Sequence, residues 1–133
     1  MPVTTRWDND QKTIMVWVFD GQWTWNDYYG CRDTVNDEIA SMPHTVHIIV
    51  DMRTSNTLPN SVITHGHSAV NQPPRNLGLT IIVGANPILR AFYNMFSRLY
   101  TSLLAQKQVE MHMVTTLEQA YALITAYQRE KTR

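Results

Sequence analysis

Apolar residues along the chain recur with two periods, and the switches between those periods mark out the elements. In Thr13–Phe19 the positions alternate: Ile14, Val16 and Val18 share one side, and Met15, Trp17 and Phe19 share the other. Both sides are apolar, so this strand is expected to be covered on both faces. Thr4–Trp7 precedes it across the turn cluster Asp8-Asn9-Asp10, which predicts an antiparallel hairpin. Thr45–Met52 is the next strand, with Val46, Ile48 and Val50 facing one way and His47, Ile49 and Asp51 the other. Gly78–Val83 is a short continuous apolar run, the pattern of a buried parallel strand, and Met111–Val114 is a last short strand.

Between the strands the period lengthens to that of a helix. Trp25, Tyr28, Val35, Ile39 and Met42 fall on one line with Arg32, and Asp27, Asp33, Asp37 and Glu38 lie opposite. Thr24 is the predicted N-cap, Asp27 closes a capping box, and Pro43 ends the helix. A weaker helix is predicted from Asn60 or Ser61 to about Gln72, with Leu58, Val62, Ala69 and Val70 as its apolar side. Gly66 weakens it and Pro73-Pro74 stops it. The strongest predicted helix runs from Pro87 to Leu104, with Asn86 as N-cap and Pro87 at the first helical position. Ile88, Phe92, Met95, Leu99 and Leu103 form its stripe, widened by Leu89, Phe96 and Leu104. The closing helix starts at the box Thr115-Thr-Leu-Glu118 and is lined by Leu117, Ala120, Tyr121, Ile124 and Tyr127, leaving 128–133 as a solvated tail.

This order predicts one α/β domain over residues 1–133, with its core from about 4 to 127: an N-terminal hairpin, then helices alternating with parallel strands. The expected sheet is mixed, of about five strands, with four main helices. The strand-to-helix turns should then gather at one sheet edge, where α/β domains bind ligands or partners. Those turns carry Asp20 and Gln22, then Asp51, Arg53 and Thr54, then Asn86, then Thr115.

Composition narrows the function classes. The 133 residues suit one hydrophobic core, and the formal net charge is zero. There is no basic excess or stripe, so no nucleic-acid partner is expected. The charge is uneven, however. Residues 1–60 hold eight acids and four bases, and residues 61–133 hold three acids and seven bases. A single cysteine, Cys31, excludes an internal disulfide and a thiolate zinc site. The start of the chain lacks the basic and apolar pattern of a leader, and its apolar runs are too short to cross a bilayer. A cytoplasmic location without membrane insertion is therefore expected.

Few residues suggest chemistry. Ser61, at a predicted helix start, is a candidate phosphoacceptor, since phosphate there meets free N–H groups and the helix dipole; the plainer reading is a cap. His65 and His67 lie two apart, so on a helix they diverge and cannot share an ion. No metal or cofactor is expected. Asp51 with Ser55 or Ser61 and His65 supplies the residue types of a hydrolase, but without a Gly-x-Ser-x-Gly elbow. Gly84-Ala-Asn-Pro87 lacks the lysine and glycine density of a phosphate loop. Arg90, Tyr93, Phe96 and Tyr100 lie beside the apolar stripe of the Pro87–Leu104 helix and are the interface candidates, for a protein partner or a homodimer. A small-ligand site is expected, if present, between Trp23, Trp25 and the Arg53–Pro59 loop.

Several segments resemble one family. They are the strand exit Phe19-Asp-Gly-Gln-Trp-Thr24, the central Ile48-Ile-Val-Asp-Met52, the later Ile81-Ile-Val-Gly84 and the helix start Thr115-Thr-Leu-Glu-Gln-Ala120. In their order they resemble the STAS family, the SpoIIAA-like anti-sigma-factor antagonists, from about Arg6 to Tyr127. The resemblance implies the SpoIIAA-like fold and a non-enzymatic regulatory or interaction module of bacterial signalling, acting through protein–protein contacts. The family's lipid- and nucleotide-associated relatives imply small-ligand binding as the alternative, and a hydrolase using the Asp51 edge is a third reading. The antagonists carry a phosphorylated Asp-Ser-Ser/Thr-Gly motif. Its place here is Pro59-Asn60-Ser61-Val62, where Ser61 is the one matching hydroxyl.

Overall fold

A computed structural model describes residues 2–55, 58–84 and 86–131, apart from the side chains of Val62 and Ile63. Part of the Arg53–Pro59 loop, Val62 as a helix-face residue, and the end of the expected tail therefore lie outside the described residues. The described chain is α/β, with a five-stranded mixed sheet and five helices. The strands are β1 (Val3–Trp7), β2 (Ile14–Phe19), β3 (Val46–Asp51), β4 (Leu77–Val83) and β5 (Glu110–Val114). They lie side by side in chain order. β1 runs antiparallel to β2, and β2 through β5 are parallel.

The hairpin closes where Asn9 bonds across to Thr13, through its Oδ1 to the backbone N–H at 3.0 Å and its Nδ2 to the hydroxyl at 2.7 Å. After β2, helix α1 (Trp25–Ala40) begins at the expected box: Thr24 Oγ1 accepts from the Asp27 N–H, and Asp27 accepts from the Thr24 N–H. Helix α2 (Val62–Asn71) follows β3. Helix α3 (Pro87–Leu99) is capped by Asn86, whose Oδ1 accepts from the Ile88 N–H at 2.8 Å. The last helix starts one residue later than the expected box: Thr116, not Thr115, receives the Gln119 N–H, and the Gln119 side chain, not Glu118, accepts from the Thr115 and Thr116 amides.

Two other expectations fail on helix length. The single helix expected from Pro87 to Leu104 divides into α3 and α4 (Thr101–Gln106) at Tyr100, which leaves helical geometry at φ −113°, ψ 24°. The Thr101 hydroxyl there donates to the Ser97 carbonyl at 2.6 Å, the back-bonding that bends helices. Residues 128–131, expected as solvated tail, continue the final helix α5 (Leu117–Lys131). Arg129 and Lys131 sit in its last turn, where cations suit the carbonyl end of the helix dipole.

Each face of the sheet has its own cover. On the face carrying Ile14, Val16, Ile49, Leu79, Ile81 and Val83, Ala120 and Ile124 of α5 complete a buried core. On the other face, β1, β2 and α1 build an aromatic layer: Trp17 and Phe19 meet Tyr28 and Trp23, with ring centroids 4.6 to 6.3 Å apart. Helices α2 and α3 cover the rest of that face.

The five histidines are not all surface groups. His47 is 2% exposed on the α5 face, and its Nδ1 accepts from the Leu79 N–H at 3.0 Å. β4 bulges at that point between its pairings with Val46 and Ile48. The bulge frees an amide from the ladder, and the imidazole replaces its partner. Tyr127 caps the ring edge-on at 4.9 Å. The arrangement requires Gly78, because a Cβ there would lie 2.4 Å from His47 Nδ1. Burial holds the His47 pKa below its ordinary value.

Candidate functional site

The parallel strands place the expected edge residues at their carboxyl ends along one edge of the sheet, where the Gly21 N–H donates to the Thr54 carbonyl at 2.9 Å and joins the exits of β2 and β3. Asp20, Gln22, Arg53, Thr54 and Thr115 are exposed and Asn86 is half-buried in its cap. Asp51 differs: it is 9% exposed and points to the α5 face. Arg53 grips it with two side-chain bonds of 2.9 and 2.8 Å, and its own N–H adds a third at 3.1 Å. These bonds hold the carboxyl below its ordinary pKa against the opposing effect of burial. Both charges are satisfied within the pair, so it acts as a structural clasp at the exit of β3.

The hydrolase combination does not assemble. His65 lies on the other side of the sheet, where its Nδ1 meets the Tyr29 hydroxyl at 2.7 Å and its ring stacks on Trp25 at 4.5 Å. Ser61 stands at the N-cap position of α2, but at φ 62°, ψ 32° its side chain makes no capping bond. The expectation of a capping hydroxyl therefore fails, and Ser61 remains an exposed residue in the left-handed region, a conformation that costs roughly 1–2 kcal/mol outside glycine. Among the described residues no group of three His, Cys, Asp or Glu side chains comes together as a ligand set.

An apolar cavity of about 190 Å³ lies between the sheet and helices α1, α2 and α3. Its floor is Ile48, Val50, Thr80 and Ile82, and its end walls are Trp23, Trp25 and Leu58 on one side and Val109 and Met111 on the other. The roof is Gly66, Ala69 and Val70 of α2 with Leu89, Phe92 and Phe96 of α3. Among the described residues no carboxylate, amine, guanidinium or imidazole lines it. Asn36, Thr80, Tyr28 and Tyr93 are the amide- and hydroxyl-bearing residues of its described lining. Burial pushes the Tyr28 phenol up to about 12 and raises that of Tyr93, whose hydroxyl donates to the Met111 carbonyl at 3.0 Å. Both phenols therefore stay neutral across the physiological range.

Local sequence explains the void. No residue of α2 with a described side chain is buried, so this helix spans the gap without packing down on the sheet. It is short, Pro73-Pro74 ends it, and Thr80 presents a small polar side chain beneath it. Gly66 sets its distance from α3: a Cβ there would come within 2.7 Å of the Phe96 ring. The C-terminal lip is tied by two indoles, with Trp23 Nε1 donating to Ser55 Oγ at 3.0 Å and Trp25 Nε1 to the Asn60 carbonyl at 2.7 Å. The cavity thus takes in Trp23, Trp25 and, from the Arg53–Pro59 loop expected to bound a ligand site, Leu58, and extends beyond them to α3.

The interface candidates on α3 need correction. Phe96 is 2% exposed and roofs the cavity, Tyr93 is tied to β5, and Tyr100 is half-buried against His67. Of the four, Arg90 is exposed. The exposed large apolar residues among those described are instead Ile88 at 70%, Met95 at 50% and Leu99 at 60%, members of the expected apolar stripe. The burial lies along Leu89 and Phe96, roughly a quarter turn away at 100° per residue.

No protein-family model and no curated protein matches this chain. No helix among the described residues is long and apolar enough to cross a membrane.

Proposed function

We propose that this chain is a non-catalytic binding module of the STAS, SpoIIAA-like kind, and that its cavity receives a small apolar molecule. The observation that carries the reading is an aromatic-rich cavity of about 190 Å³, with no charged side chain among its described lining residues, in a domain whose opposite sheet face holds a buried apolar core. Apolar cavities of roughly 150 Å³ stay dry and admit benzene, whereas drug-sized ligands need roughly 300–1,000 Å³. The size therefore fits a single aromatic ring or a short acyl chain. Transfer of such a group from water supplies the affinity, at about 25 cal/mol per Å² of apolar surface removed. Thr80 and the neutral phenols of Tyr28 and Tyr93 can orient one polar substituent. The regulatory role implied by the STAS resemblance then takes the form of a domain whose surface responds to occupancy.

Toluene and hexanol titrated against the intrinsic tryptophan fluorescence test the reading, because Trp17, Trp23 and Trp25 line the cavity. Saturable changes are expected for both compounds, with a rise in Tm from preferential binding to the folded state. Ala69→Trp projects an indole from the roof and should abolish both changes while the protein remains folded. Equal responses from the wild type and this variant, or none from the wild type, would overturn the proposal.

A further inference from the structure

The second sequence half is unusual in charge as well as in exposure. Between Met52 and Val109 the chain has no aspartate or glutamate and five bases, Arg53, Arg75, Arg90, Arg98 and Lys107. Arg53 is spent on Asp51, and none of the other four is in an ion pair among the described residues. This acid-free stretch includes α2 and α3, which roof the cavity, and α4.

The exposed apolar residues lie in a particular place within it. On α3, Tyr93 marks the flank that turns to β5. Ile88, Met95 and Leu99 lie on the opposite flank, which turns toward α2, with half-buried Phe92 between them and the buried line. Residues of both helices line the cavity, so the seam between α2 and α3 lies over it. Where the seam ends, Arg75 and Lys107 share the wall of one surface cleft, and exposed Arg98 adjoins Leu99.

We infer that this seam docks on an anionic lipid surface, with Ile88, Met95 and Leu99 entering the headgroup layer and Arg75, Arg98 and Lys107 meeting the phosphates. An apolar stripe bordered by cations on a helix too short to span is the pattern of interfacial binding. Charge decides against a second copy as the occupant. A two-fold contact through this stripe would oppose like cations, with no acid in Met52–Val109 to offset them. The ligand argument points the same way and rests on the proposed cavity function: a small apolar molecule is concentrated in a bilayer, and the docked seam would open the cavity to it.

Sedimentation of the full chain with phosphatidylcholine vesicles, with and without phosphatidylserine, tests the inference. Binding is expected to the phosphatidylserine vesicles and to weaken with added salt. Ile88→Ser/Met95→Ser/Leu99→Ser and Arg98→Glu/Lys107→Glu change exposed positions only, and each should lower partitioning at least about tenfold, since each cation near an anionic surface is worth about fivefold. Both variants should keep the toluene response of the wild type, which separates failure here from failure of the cavity reading. Absence of vesicle binding, or binding that both variants retain, overturns the inference. A wild-type dimer that the serine variant dissociates also overturns it and makes a second copy the occupant.

Discussion

The two faces of the sheet are built from adjacent residues of the same strands and reach opposite outcomes. Ile81 turns to α5 and is fully buried in a continuous core; Ile82, the next residue, turns to α2 and α3 and forms part of a cavity floor. The difference lies in the covering helices. α5 presents Ala120 and Ile124 directly to β3 and β4, and the small alanine allows close approach. α2 presents Gly66, Ala69 and Val70 without burying them, and α3 turns part of its apolar surface outward. One face therefore supplies a close-packed core, while the other leaves part of its apolar surface around a void.

The largest expected effect comes from that pair. Ile81→Ala should cost about 3–5 kcal/mol, because a close-packed site relaxes little around a new void. Ile82→Ala should cost roughly 2 kcal/mol, because its side chain already borders empty space and has fewer contacts to lose. Urea unfolding of the two variants would measure this, and equal losses would mean that the two faces are packed alike. Next in size, Gly78→Ala should cost about 2–3 kcal/mol by forcing a methyl against His47 and weakening its bond to the bulge amide. In the same assay Gly66→Ala should cost less, because it meets the edge of the Phe96 ring, which can swing into the cavity; toluene affinity should fall with it.

A smaller effect in the opposite direction sharpens the contrast. Thr80→Val replaces a hydroxyl at the cavity floor with a methyl and should stabilise the empty protein by roughly 0.5–1 kcal/mol, read as a rise in Tm. The smallest effects are those of pH. The folded His47 pKa lies below the unfolded value, so the unfolded chain takes up the proton first and stability declines as pH falls below about 6.5. His47→Gln should flatten the stability curve in that window. The folded Asp51 pKa is also depressed, so its contribution is present above about 3.8 and is lost as pH falls through its folded value. Because Arg53 is half exposed, solvent screening limits that contribution to about 1 kcal/mol. A stability curve that stays flat from neutral pH to about pH 4 would contradict the assigned burial of His47.

How much of this was legible depends on the range of the interactions. The strands, the caps at Thr24 and Asn86 and the ends at Pro43 and Pro73 follow from residues within a turn of each other, and the chain carries those signals directly. The break at Tyr100 was not legible, because a threonine hydroxyl that bends a helix looks in sequence like any other helical threonine. The burial of His47 had a faint sign in Gly78, a glycine at the head of an apolar strand, but the contact joins positions on different strands.

On α3 the division is clearest. The sequence by itself determined that the helix carries apolar residues over about half its circumference, because spacing alone sets which side chains share a flank. Only the tertiary structure decided that Leu89 and Phe96 face inward while Ile88, Met95 and Leu99 face out. That choice depends on where β5 ties Tyr93 and how near Gly66 lets α2 approach. The cavity is of the same kind. Most of its lining residues read as ordinary core, and the empty space among them exists because two helices bridge the sheet without filling it, a property of the assembled layers that no single segment encodes.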